Sequence, residues 1–249
     1  MAEASGVQSV VRSFTLLELL CERGELGVTQ LSKLSGLSKT TVYRLINTLV
    51  ELGYVKQNPV TEGYGITLKF LKISASQRAL FDKRNEMRPV LEKLSAECGE
   101  TVHLVERSGK DIIYIDKIEN NTTAFRMASQ VGMSLPMIYT ASGKAIMSYL
   151  SKEELNKIWN ESEVISKTPK TITNFNLFME EIKGVRENGY AVDNEENELG
   201  VCCIATAVAD IEGNFKYAVS VSVPKVRLSR EKEEFIKNML KNLISDNNF

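Results

Sequence analysis

Apolar residues in the first fifty positions return every three or four residues, the spacing of helices that bury one face. The spacing predicts a first helix over residues 9–22, with Val10, Phe14, Leu17, Leu20 and Cys21 on one side and Gly24 ending it. Thr29 is the expected cap of a short second helix carrying Leu31 and Leu34, stopped by Gly36. Ser38 caps a third helix running to Leu52, with Val42, Leu45, Ile46, Leu49 and Val50 as its apolar stripe. Only Ser35, Gly36 and Leu37 separate the second helix from the third. Two short strand-like pieces, Tyr54–Gln57 and Tyr64–Leu68, flank the turn-rich residues 58–63. Helical periodicity resumes over Leu68–Phe81, with Leu68, Leu71, Ile73 and Ala75 spaced for a partner face; this reads as a connecting helix. Pro89 is expected in the first turn of a further helix reaching Cys98.

Beyond Thr101 the period changes to two. Strands are predicted at Thr101–Arg107, Asp111–Ile118, Thr123–Ser129, Tyr190–Asp193, Cys203–Ala209 and Phe215–Val223. Among them lie a buried helix at Ala141–Leu150, a helix opened by the capping box Ser151–Glu154, and helices over Asn174–Asn188 and Ser229–Ser245. Adjacent strands joined by tight turns and mixed with helices define an α+β class built on an antiparallel sheet.

Composition narrows the function classes. In 249 residues no apolar run approaches the roughly 18 needed to cross a bilayer, and the first residues lack the pattern of a secretion signal. A cytoplasmic protein with no membrane partner is expected. Cys21, Cys98, Cys202 and Cys203 have no CxxC spacing and His103 is the sole histidine, so neither a metal nor another cofactor is expected. The net charge of −1 is unevenly spread: residues 1–80 hold nine Lys and Arg against six acids, and the remainder is net acidic. The N-terminal third is therefore the part to meet phosphate.

Three helices, a three-residue turn and a hairpin follow the order of a winged helix-turn-helix, whose third helix enters the DNA major groove. The stripe on that helix leaves Lys39, Thr40, Tyr43, Arg44 and Asn47 outward. Ser38, Lys39, Thr40 and Thr41 make its start short and hydroxyl-rich, suited to close approach to phosphate, and Arg44 suits a guanine edge. Lys56 and the wing turn are placed for neighbouring phosphates. A basic face on a protein-binding bundle carries the same pattern.

The segments VQSVVRSFTLLELL, VTQLSKLSGLSKTTVYRLINTLVELGYV, YGITLKFLKI, GETVHLVERSGKDIIYIDKIE, LPMIYTASGKAIMSYL and GYAVDNEENELGVCCIATAV resemble the IclR family of bacterial regulators, in order along nearly the whole chain. The resemblance implies a winged helix-turn-helix at 1–67, a linker helix at 68–81 and a GAF-like effector domain at 82–249. It also implies a homodimer or homotetramer on two-fold double-stranded DNA, with no catalytic activity.

Ser220 and Ser222 share one face of a strand in the run VSVSV. On sequence alone, serines turned to solvent with Val219, Val221 and Val223 inward fit slightly better than serines turned toward a ligand. The resemblance reverses that preference and implies an effector pocket from Ala141, Ser142, Asp193, Cys203, Ser220 and Ser222, walled by Met127, Leu135 and Val201. The helix start at Ala141 would take a carboxylate. Asp193 would repel that group and accept from a ligand hydroxyl instead. A small hydroxy- or keto-acid is the expected effector class, with 2-keto-3-deoxygluconate one example beside aromatic and glyoxylate-like acids. Asn194 and Asn197 stand where an acid and a histidine are commoner in the family.

Other readings fare less well. Ser142-Gly143-Lys144-Ala145 lacks the hydroxyl after Lys and the earlier Gly of a phosphate-binding loop. Ser142 and Lys144, two apart on a helix, point to different sides and make a poor hydrolase pair. A redox-responsive DNA-binding regulator acting through Cys202 and Cys203 is the alternative, although strand alternation turns their thiols to opposite faces. His103 is expected to be structural.

Overall fold

The computed structural model describes residues 6–75, 78–119 and 127–246. The chain divides into two compact units, Met1–Arg78 and Ala79–Phe249. No helix among the described residues is long and apolar enough to cross a membrane.

The first unit contains α1 (Gln8–Arg23), α2 (Val28–Ser35), α3 (Lys39–Glu51), β1 (Val55–Gln57), β2 (Tyr64–Ile66) and α4 (Lys69–Ser74). Leu16, Leu17 and Leu20 of α1, Leu31 of α2 and Val42, Ile46 and Leu49 of α3 form its core with Val55 and Tyr64. The expected α1 face is therefore rotated: Val10, Phe14 and Cys21 are exposed, and the exposed Val7, Val10, Val11 and Phe14 make an apolar stripe. Gly27, rather than Thr29, caps α2, its N–H donating to the Gln30 side chain at 2.9 Å. Ser38 caps α3 as expected, accepting from the Thr41 amide at 3.2 Å. β1 and β2 pair antiparallel to form the wing.

The second unit is a six-stranded antiparallel sheet in the order β5-β4-β3-β8-β7-β6. Its strands are β3 (Thr101–Ser108), β4 (Asp111–Ile118), β5 (Ser134–Pro136), β6 (Ala191–Asn194), β7 (Val201–Ala209) and β8 (Phe215–Pro224). On one face, α5 (Arg78–Cys98) and α9 (Arg230–Asp246) pack on Val102, Leu104, Ile204, Val219 and Val221. On the other, α6 (Ala141–Met147), α7 (Lys152–Glu161) and α8 (Phe175–Asn188) pack on Val105, Ala205, Ala207 and Ala218. Both faces of β8 are consequently buried. The solvent-facing alternative for Ser220 and Ser222 fails, because both serines are buried rather than at the surface.

The helical boundaries around the unit junction also differ from expectation. The periodicity over 68–81 resolves into α4 ending at Ser74 and α5 beginning at Arg78, and α5 runs through Pro89. An interior proline forfeits a hydrogen bond and costs about 3 kcal/mol. Met87, Leu91, Leu94 and Cys98 are all buried on the sheet, and burial stabilises by about 1.5–3 kcal/mol per large apolar side chain, so the helix persists. Of the expected strand at 123–129, residues 123–126 lie outside the described residues and 127–129 are not strand.

Candidate DNA-reading face and effector cavity

Along α3 the core residues leave Lys39, Thr40, Tyr43 and Arg44 exposed and Thr41 and Asn47 half-buried. The Ser38 and Thr41 hydroxyls, 2.9 Å apart, lock the helix start. Lys56 is exposed on β1. The wing turn is held from below by Glu25, which accepts from the Asn58 side chain at 3.0 Å and from the Thr61 hydroxyl. Those hydrogen bonds pull its carboxyl below the ordinary range. A side chain at Gly63 would collide with Glu25, so glycine there lets the turn close over that residue. Sequence patterning missed this strut, which joins residues more than thirty positions apart.

In the second unit, strand register assembles the polar site. Asp193 pairs with Cys203, Cys203 with Ser222, and Ser222 with Thr101, forming one row across four strands. In the next row His103 stands opposite Ser220 and Lys117. An irregularity in β4, where Ile115 is passed over in the pairing, brings Tyr114 and Lys117 to the same face although they are three apart. His103 packs edge-on against Tyr114 with ring centroids 4.9 Å apart. Its Nε2 lies 2.8 Å from the Ser129 hydroxyl and its Nδ1 3.4 Å from the Ser222 hydroxyl. Cys203 Sγ is 3.2 Å from the same Ser222 hydroxyl.

These residues surround a cavity of about 90 Å³ that Met127, Leu135, Asp193, Val201, Cys203 and Ser222 all line. His103, Tyr114, Asn197 and Glu198 complete much of its polar wall. Ala141, Ser142 and Ser220, although buried, do not line it. At the start of α6 the Gly143 amide is already taken by the Thr140 hydroxyl at 3.0 Å. The carboxylate seat expected there is thus set apart from the cavity, whereas His103 and Tyr114 enter it unforeseen. Their alternation with Val102, Leu104 and Ile115 looked like ordinary sheet packing, and only the cross-strand register reveals the shared face.

Burial sets the electrostatics. His103 is driven down to about 3, first by desolvation and then by Lys117, and is therefore neutral. Asp193 is raised to about 6 by desolvation and by the Glu196 carboxylate, partly offset by the Glu196 and Asn197 amides that donate to it at 2.7 and 3.4 Å. Beneath it, the fully buried Lys144 donates to Glu196 at 2.7 Å and to Glu181 at 3.1 Å. This explains the lysine of the SGKA segment as the counter-ion of a buried loop. Burial raises the thiols of both Cys202 and Cys203.

A helix-turn-helix with a wing, followed by a two-faced antiparallel sheet with a polar cavity, defines a class of ligand-responsive transcription regulators. The pattern described as "IclR helix-turn-helix domain" matches residues 9–59, and that described as "Bacterial transcriptional regulator IclR C-terminal" matches residues 79–246. The chain belongs to the IclR family of bacterial transcriptional regulators. It is 35% identical over 242 residues to the DNA-binding transcriptional repressor YiaJ of Escherichia coli K12, covering 96% of this chain and 85% of that one. It is likewise 35% identical over 235 residues to the regulator KdgR of the same organism, covering 94% and 89%. The crystal structure of Thermotoga maritima IclR superposes with a TM-score of 0.74 at 30% identity, covering 94% of each chain.

Proposed function

We propose that this regulator is a repressor of a catabolic operon, reading two-fold DNA through the outer face of α3 and responding to a small hydroxylated organic effector. The observation that carries the effector reading is the row Asp193–Cys203–Ser222 meeting His103 in one cavity. Its described lining includes two carboxylates, Asp193 and Glu198, and no lysine or arginine. Such a wall receives hydroxyl donors, and Asp193, its carboxyl raised to about 6, takes up a proton beside an acid more readily than an ordinary carboxylate would. Hydroxy- and keto-acids such as 2-keto-3-deoxygluconate remain the class implied by the family, with the hydroxyl end against Asp193. The exposed α1 stripe supports pairing of copies as a homodimer or homotetramer.

Raised thiols argue against the redox alternative, since reactive cysteines need depressed pKa values. Thermal-shift measurements on wild type and Asp193→Asn, against hydroxy-acids, keto-acids, aromatic acids and neutral polyols, test the effector reading. At about a hundred times Kd a ligand adds about 2.7 kcal/mol, a shift of several degrees. Wild type should shift and Asp193→Asn should shift less. If no compound stabilises wild type while peroxide changes its DNA affinity, the effector reading is wrong.

A further inference from the structure

Arg12 of α1 and Arg44 of α3 line one cleft of about 340 Å³, together with Gln8, Ser9, Thr41, Leu45 and Thr48. Arg12 lies one turn before the buried Leu16, on the side of α1 that faces α3, and is itself half-buried. Neither guanidinium is paired with a carboxylate among the described residues. The fold places two positive charges in one concave site without a counter-ion among the described residues, an arrangement that an external anion stabilises. The Thr48 hydroxyl spends its hydrogen on the Arg44 carbonyl at 3.1 Å.

Helix geometry identifies the anion. At 100° per residue the buried Val42, Ile46 and Leu49 put the outward direction of α3 between Thr40 and Arg44, and the cleft lined by Thr41, Arg44, Leu45 and Thr48 is centred about 60° to one side of it. A helix is about 10–12 Å across and the major groove about 12 Å wide, so a side chain turned that far meets the groove wall rather than the base edges. The wall is the phosphate backbone.

We propose that Arg12 and Arg44 together clamp a backbone phosphate of the DNA, so that Arg44 positions the recognition helix instead of reading guanine and α1 takes part in docking. The proposal rests on α3 being the DNA-reading helix. Two forked guanidiniums suit the several oxygens of a phosphate, and the clamp fixes the depth and tilt of α3 without selecting sequence.

The test uses the full chain and two duplexes of equal length, one selected from a random pool by the wild-type protein and one with that sequence shuffled. Affinities are measured for wild type, Arg12→Ala, Arg12→Lys, Arg44→Ala and, as a control in the second unit, Lys183→Ala over a range of salt concentrations. Arg12→Ala and Arg44→Ala should each weaken both duplexes about tenfold and make the salt dependence shallower by about one counter-ion. Arg12→Lys should keep most of the salt slope, and Lys183→Ala should match wild type. Unaltered thermal melting of Arg12→Ala excludes misfolding as the cause. Wild-type affinity and slope in Arg12→Ala would overturn the clamp, as would an Arg44→Ala loss confined to the selected duplex. Failure of wild type to select any duplex would instead overturn the DNA reading beneath it.

Discussion

His103 is the only histidine in the chain, which allows its buried state to be tested without interference. In the folded protein burial holds it at about 3, against 6.5 for a free imidazole. A depressed folded value contributes stability that is present above pH 6.5 and is lost as pH falls toward 3, because the unfolded chain takes up a proton that the native chain refuses. At pH 5 the loss relative to pH 8 is about 2 kcal/mol. Asp193 acts in the opposite sense: its carboxyl rises from 3.8 to about 6, so the native state gains stability as pH falls through that window. His103→Gln removes the first contribution and leaves the second. Urea denaturation at pH 8, 6.5 and 5 should therefore show a stability difference between variant and wild type that shifts by about 2 kcal/mol in the variant's favour toward pH 5. Nuclear magnetic resonance of the single imidazole should show no titration between pH 8 and 5. An imidazole titrating near 6.5 in the folded protein, or parallel pH profiles for the two proteins, would refute the argument.

Two further substitutions probe the scaffold. A methyl group added at Gly143 would overlap the Met137 backbone inside the second core, so Gly143→Ala should destabilise the chain by about 3 kcal/mol in chemical denaturation; a neutral result would show that α6 is free to move away from the turn before it. Ser38→Ala removes the α3 cap and should cost about 1 kcal/mol, with weaker DNA binding in a mobility-shift assay; unchanged stability would mean that the Thr41 amide finds another acceptor.

Much of the fold was legible because the strands of the second unit follow a clean period of two and the helices of the first carry Ser and Gly at their ends. The start of α7 was legible from its Ser151–Glu154 box, which forms as expected. What could not be read depends on contacts between distant residues. Helical spacing at Val10 and Phe14 gives a face but not its direction, and the core chose the Leu16–Leu20 side. Pro89 looked like a helix start because its cost is local and the burial that outweighs it is tertiary. The three-residue β5 contains a proline and too few positions to show alternation. For the cavity, Met127, Leu135, Asp193, Val201, Cys203 and Ser222 were reached only through the family resemblance. His103 and Tyr114 were missed because a histidine among valines and leucines has no signature until the register of β3, β4 and β8 is known.

The burial of β8 on both faces has an evolutionary consequence. Each residue from Tyr217 to Pro224 is buried on one face of the sheet or the other, so this strand offers almost no position at which change is neutral. The floor of the cavity inherits that rigidity through Ser222 and its neighbour Cys203. Its rim comes from chain outside the two-sided sheet centre, at Met127–Met133 and Asn197–Val201. New effector preferences can therefore arise at the rim while the floor, and the stability that depends on it, stays constant.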